Sequence, residues 1–482
     1  MKRLRGRDAF TVYCETTNSP FVTLKVGIYR QANPASSVDA LAVESFVKEH
    51  MSLTGGRRAG LRIIRVPFDL HHPVWVYDPD FSPNNHIFRA TLPEPGGKKE
   101  LCNFLSTLMS KPLNYDRPLW EIWIVDGLQN GEIAIVFKAH HALADGKMMA
   151  EFIQKTHADS AQGRSTDFNY QGEPIPGKLK LLGDAVLDLV KSFTIELPHV
   201  YRHYKRLRLA NRDLPNVESP VKPFTAPVTV LDGMGGCERE YWYETFSLAD
   251  FKFIAKQLNC TINDLILAIT SEGLKRYLKD LGCLPDKSLI TTMPVAERQD
   301  IDLRVMLNSD ILNNDKVSIA LVPLHQNIDD FSERVHAISK SSKAAIQHVH
   351  ATQGKRLENY FDFMPGFVVR ALNRLVFART VTKGNAAYAN LVISNVPGPH
   401  EKLFALDGRM ELVELLSTGN LSDGGHLNIT VWSYVDKITI SFYMRKDSVK
   451  ESEKLTFHFR NFVHELRQAF HCNEPQPQER AS

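Results

Sequence analysis

Residues 136–150, VFKAHHALADGKMMA, place two adjacent histidines, His140 and His141, at the end of an apolar run, with Asp145 and Gly146 close behind. Upstream, EIWIV (121–125) and IAIVFKAH (133–140) flank DGLQNGE, which predicts a β-hairpin. The segment after the motif, GKMMAEFIQKTHAD, predicts a helix. The double histidine therefore stands at a strand-to-helix junction, where irregular backbone exposes side chains. Side chains alternate along a strand, so only one of the two rings can face a site. The same alternation makes a shared metal ion a poor fit for H-H-x-x-x-D, and no metal site is expected.

Working outward, PFVTLKVGIYR (20–30) and PVWVYD (73–78) predict strands and 39–52 a helix. ELCNFLSTLMSKPL after LPEPGGKK predicts another helix. From about residue 165 to 238 the composition turns loop-like and basic around the helical KLKLLGDAVLDLVKSF. A second mixed segment follows. It has a strand at EREYWYETFSL, a helix capped by Ser247, a capping box at TIND (261–264) and strands at 317–324, 390–396, 426–434 and 437–444. An amphipathic helix near 448–470 closes it. These patterns predict an α/β protein with mixed sheets in three parts: a domain at 1–164 carrying the histidines, a partly helical linker at 165–238 and a second domain at 239–475. Residues 476–482 form a tail.

The 482 residues are too many for one ordinary core. A net charge of +3, without an aromatic-interleaved basic stripe, gives no support to nucleic-acid binding. The six cysteines stand apart, which argues against a CxxC metal site or a disulfide framework. There is no glycine-rich nucleotide fingerprint and no GxSxG elbow. No apolar run is long enough to span a bilayer, and no secretory leader is seen, so a cytoplasmic location is expected. Without a matched nucleophile, a histidine would act directly on a bound hydroxyl, thiol or amine, a contribution of roughly 10²–10⁴-fold. The alternative is two histidines satisfied structurally.

HHALADG matches the HHxxxDG motif of the superfamily that includes chloramphenicol acetyltransferase and the condensation domains of peptide synthetases. More specifically, the chain resembles the bacterial wax ester synthase/acyl-CoA:diacylglycerol acyltransferase family. RDAFTVYCET (7–16), HIFRATLPEPGGKKEL (86–101), KPLNYDRPLWEIWIVDGL (111–128), INDLILA (262–268), MPVAER (293–298), SNVPGP (394–399) and LNITVWSY (427–434) follow in the family's order. The resemblance implies two chloramphenicol-acetyltransferase-like domains facing each other, with a tunnel between them. It implies His141 as general base, His140 as a partner, Asp145 shaping the site and Gly146 permitting the turn. Asn263 and Asn395 become candidates for binding substrate or shaping the site. Packing is the competing role for Pro118, Trp120 and Asn395–Pro399, and a helix-terminal hydrogen bond for Asn263. One departure is NNDKVSIALVPL, where Asn313 stands for the family's usual glycine before Asn314. The implied activity is transfer of an acyl group from acyl-CoA, as co-substrate, to a fatty alcohol or diacylglycerol, with no cofactor. A condensation-type enzyme using carrier-bound acyl groups and a silent lipid-binding protein are the rivals. Two segments, 178–212 and 360–377, are candidates for peripheral contact with a membrane or lipid inclusion.

Overall fold

The computed structural model describes residues 1–33, 38–50, 59–143, 170–192, 194, 198, 201–202, 205, 220–233, 235–296, 317–352, 361–362, 364–382, 386–421 and 424–471. Asp145, Gly146, Asn313, Asn314 and the helix expected after the histidine motif lie outside them.

Two six-stranded sheets carry the fold. The first contains β2 (Val22–Gln31), β5 (Ile87–Thr91), β6 (Trp120–Asp126), β7 (Ile133–His140), β12 (Phe404–Ala405) and β13 (Met410–Ser417), in the order β12-β13-β2-β7-β6-β5. β6 and β7 form the expected antiparallel hairpin. The second contains β8 (Arg239–Ser247), β9 (Ile290–Ala296), β10 (Val317–Pro323), β11 (Leu391–Val396), β14 (Leu427–Tyr434) and β15 (Lys437–Arg445), in the order β10-β9-β11-β14-β15-β8. A small sheet of β1 (Lys2–Arg3), β3 (Leu61–Ile64) and β4 (Val74–Tyr77) flanks the first.

Among the described residues the longer helices are α1 (Gly6–Cys14), α2 (Ala40–His50), α3 (Lys98–Met109), α4 (Lys178–Lys191), α5 (Leu248–Gln257), α6 (Ile262–Asp280), α7 (Phe331–Thr352), α8 (Gly366–Thr382) and α9 (Ser452–Ala469). Ser247 accepts from the Asp250 N–H, and Thr261 and Asp264 close a reciprocal capping box, as TIND predicts. Asp264 also accepts from Ser342 of α7 at 2.6 Å, which fastens α6 to its neighbour.

The sheets do not follow the sequence division expected at 239. β12 and β13 come from the C-terminal part, yet β13 pairs antiparallel with β2 from Met410↔Gln31 to Ser417↔Lys25. Next along the chain, β14 returns to the second sheet. Leu427, Ile429 and Val431 enter that sheet's own core, whereas Trp432 and Tyr434 join apolar residues of the first half. A period of two thus puts one face of LNITVWSY on each half.

Two buried arginines reinforce the junction. Arg239 and Arg445 donate to the Asn18 carbonyl at 2.6 and 3.1 Å, and Arg445 also reaches Ser19 Oγ at 3.2 Å. The N–H groups of Arg239 and Tyr241 on the edge strand β8 donate to Ser110 and Ser106, each at 2.9 Å, at the end of α3 and within it. Those contacts satisfy an edge that would otherwise be open to pairing. The linker likewise clings to both halves. Leu181 of α4 packs on Val74 and Val76 of the small sheet, while Asn390 bonds Asp232 at 2.8 Å.

Candidate active site

β7 ends at His140, and the pairing of β2 with β7 runs from Tyr29↔Ile133 to Val22↔His140. The backbone N–H of His141 continues it by donating to the Phe21 carbonyl at 3.1 Å. Directly opposed residues share a face of a sheet. Hence Phe21, Thr23 and Lys25 lie on the side of His141, and Val22 and Leu24 on the side of His140.

On the His140 side the arrangement is closed. The ring is fully buried. Its Nδ1 accepts from the Ala142 N–H at 3.1 Å, which leaves the proton of a neutral ring on Nε2. Nε2 stands 3.5 Å from Glu15 Oε2 and 3.4 Å from the Tyr115 hydroxyl. Tyr115 donates to the same carboxylate, and the Phe21 N–H donates to its other oxygen at 3.3 Å. Burial alone would raise the Glu15 carboxyl, but the hydrogen bonds from His140 and Tyr115 hold it below the usual range. The His140 N–H donates to the Leu119 carbonyl of the PLW segment at 3.0 Å. His140 therefore holds the turn in place and has no open side.

On the His141 side the arrangement is open-ended. The ring packs edge-on against Phe21 with centroids 6.0 Å apart. Its Nδ1 is buried and finds no hydrogen-bond partner among the described residues. Burial first, then the neighbouring His140 ring and the Lys25 cation, push the ring down to about 4. It is neutral at physiological pH and able to accept a proton. Nearby, Lys25 is a buried cation in the middle of an apolar strand. Its ammonium donates to Ser417 of β13, lies 3.4 Å from Thr23 Oγ1, and sits 5.1 Å from the centroid of the Trp432 ring. Thr23 donates to the Thr418 carbonyl, and the Leu24 N–H donates to Thr418 Oγ1 at 2.8 Å. Ser417, Thr418 and Trp432 are supplied by the C-terminal part of the chain. The C-terminal part therefore lines the His141 side of the strand, and on the other face its Tyr241, Tyr243 and Tyr443 join the core of Val22 and Leu24.

The other expected residues separate into site and scaffold. Asn263 sits in the first turn of α6 with Nδ2 3.1 Å from the Met293 sulfur. Among the described residues no hydrogen bond joins it to His141. Asn395 is exposed at the end of β11, in register with Val431. After it, a Cβ at Gly398 would come within 2.0 Å of the Ser433 carbonyl oxygen, so SNVPGP is laid against β14 at a point where only glycine fits. Trp120 is buried, stacks on His86 at 4.4 Å and donates its indole N–H to the Ala59 carbonyl at 2.7 Å. Trp120 of PLW and Gly398 of NVPGP thus pack within the fold, while Asn395 stays exposed.

Sequence reasoning missed Glu15, Tyr115, Lys25 and Trp432. Lys25 left a signal, a charge inside VTLKVGIYR. Glu15 and Tyr115 left none, since they lie 100 residues apart in sequence. Among the described residues no group of three or more His, Cys, Asp or Glu could hold a metal ion.

The family model described as the wax ester synthase/diacylglycerol acyltransferase catalytic domain matches residues 4–266. The chain belongs to that family. The WS/DGAT C-terminal domain matches residues 314–467. A relative from Mycobacterium tuberculosis is 31% identical over 474 residues, covering 97% of each chain. The O-acyltransferase WSD of Acinetobacter baylyi is 29% identical over 393 residues, covering 80% of this chain and 81% of that one. Among solved structures, the wax ester synthase/diacylglycerol acyltransferase from Marinobacter aquaeolei VT8 shares the fold with a TM-score of 0.67 and 20% identity, covering 97% of this chain and 100% of that one. The first condensation domain of the calcium-dependent antibiotic synthetase shares it with a TM-score of 0.53 and 12% identity, covering 98% and 96%. As a member of the family the chain is an O-acyltransferase acting in wax ester or diacylglycerol acylation.

Proposed function

We propose that this enzyme moves a long-chain acyl group from acyl-CoA to the hydroxyl of a fatty alcohol or a diacylglycerol, with His141 as general base and no covalent acyl-enzyme. His141 takes the hydroxyl proton as the oxygen attacks the thioester carbonyl. The C–O bond forms, the C–S bond breaks, and the proton leaves with the CoA sulfur. No metal or cofactor takes part. The carrying observation is the unpartnered, buried Nδ1 of His141 on the side of β7 that faces the second half. A neutral imidazole is suited to this task, because desolvation disfavours its charged form until a hydroxyl proton is offered. The two substrates would meet between the halves, and holding them together supplies the remainder of the acceleration. Asp145 and Gly146 follow the base in the motif and are assigned to shaping its turn. Asn263 and Asn395, at the ends of elements in the second half, are assigned to the walls of the passage.

The acceptors are lipids, so the enzyme works in peripheral contact with a lipid surface on the cytoplasmic side. No helix among the described residues is long and apolar enough to cross a membrane. The test is purified protein with labelled palmitoyl-CoA and either hexadecanol or a diacylglycerol. Ester formed by the wild type and lost in His141→Ala supports the reading. Ester formed equally by both refutes the base, and acylation only from a carrier protein refutes the donor.

A further inference from the structure

The 3-10 turn at Pro67–Asp69 holds Phe68 in the left-handed region, φ 60°, a conformation that bulky residues seldom adopt. The turn presents Phe68 outward with 81% of its surface exposed. α4 and α8 both pack against this turn. Arg370 of α8 bonds Asp69 at 2.7 Å, and the Asp69 carbonyl lies 2.9 Å from where a Cβ on Gly366 would stand. On the α4 side, Arg3 bonds Asp188 at 2.5 Å and the His72 carbonyl at 2.9 Å.

Both helices keep apolar residues outside. α4 buries Leu181 and Ala185 but exposes Leu179, Val186, Leu187 and Val190, and Ile175 just before it is also exposed. α8 buries Val369 and Asn373 but exposes Phe367 and Leu375. Large apolar side chains standing in solvent on two helices that flank an outward phenylalanine mark a binding surface. The surrounding charge is basic. Lys178, Lys180, Lys191 and Arg374 are exposed. Of the nearby acids, Asp69 and Asp188 are held by arginines and Asp184 of α4 is half-buried.

We propose that α4, the Phe68 turn and α8 form one docking face for an anionic lipid surface, with Phe68 as its central wedge. The inference rests on the acceptor being a lipid. It joins segments that the sequence left as two unrelated candidates, and adds a third that no pattern in the sequence marked. Charge complementarity decides the partner, since a face of exposed leucine, valine and phenylalanine rimmed by lysine and arginine matches an acidic headgroup layer over acyl chains. The location also suits delivery. α8 packs on α1, and α1 leads directly into Glu15 beside the histidine turn.

The experiment is flotation of the full chain with vesicles of phosphatidylcholine, alone or with added phosphatidylglycerol. Phe68→Asp, Leu187→Asp and Phe367→Asp should each cut vesicle binding roughly tenfold, and Lys178→Glu with Lys180→Glu should cut it only where phosphatidylglycerol is present. Phe457→Asp and Ile319→Asp, exposed positions in the second half, should bind like wild type. The proposal is overturned if the three acidic variants bind like wild type, or if Phe457→Asp loses as much. It is also overturned if the face instead joins two copies of the chain, seen as a dimer that Phe68→Asp dissociates while vesicles are ignored. Turnover of a short alcohol dissolved in buffer should survive in all these variants. Absence of turnover in the wild type would refute the acyltransfer reading and leave the flotation result standing on its own.

Discussion

The two sides of β7 carry neighbouring histidines into opposite surroundings. His140 enters a finished network in which Glu15, Tyr115 and the Ala142 N–H hold the ring. His141 enters the seam between the halves, and its buried Nδ1 is without a partner among the described residues. Residue type and sequence position hardly distinguish them, though His140 is fully buried and His141 only partly so. What separates them is whether the polar atoms around each ring are mutually satisfied, and an unsatisfied buried nitrogen calls for an explanation. On the proposed reading the first side serves stability and the second receives the acceptor.

That contrast can be broken by exchanging the effects of substitution on the two sides. The largest effect belongs to His141→Ala, which should lower ester formation by roughly 10²–10⁴-fold with little change in melting temperature. Loss of folding instead would place His141 with the scaffold. His140→Ala should do the reverse, leaving the buried Glu15 carboxylate short of a donor at about 2 kcal/mol of stability, measured by denaturant titration. Tyr115→Phe sharpens the same side more gently. It removes one donor to Glu15 and should cost about 1 kcal/mol while the pH profile of turnover stays in place.

The smallest effect is the most informative about the open side. Lys25→Met removes a positive charge that helps hold His141 low. The ring then becomes easier to protonate, so the acid limb of kcat/KM should move to higher pH. It should remain below that of an ordinary histidine, because burial, the larger cause, is untouched. An unmoved limb would mean that Lys25 serves only the Ser417 and Trp432 contacts.

How much of this was legible beforehand follows from the range of each signal. The β6–β7 hairpin, the Ser247 cap and the TIND box are local, written within a few residues, and each is observed. Alternation along β7 already implied that one histidine faces away. It did not say which, because that depends on the register with β2 and on Glu15 and Tyr115 arriving from other elements. The return of β12 and β13 to the first sheet was illegible for the same reason. A strand's sequence records that one face is buried, not which sheet will cover it. Lys25 was visible as an oddity in an apolar strand, but its meaning appeared only with Ser417 opposite it and Trp432 above.

The central claim is that a neutral, half-buried His141 at the seam accepts the hydroxyl proton through its buried Nδ1. Its most direct test is the pH dependence of kcat/KM for ester formation from acyl-CoA and a fatty alcohol. A base held down to about 4 is already unprotonated at pH 5 and is lost only as the pH falls through that value. The predicted profile is therefore level from about pH 5 upward, with its acid limb near 4. A limb at the ordinary histidine value of about 6.5, unchanged by Lys25→Met, would contradict it.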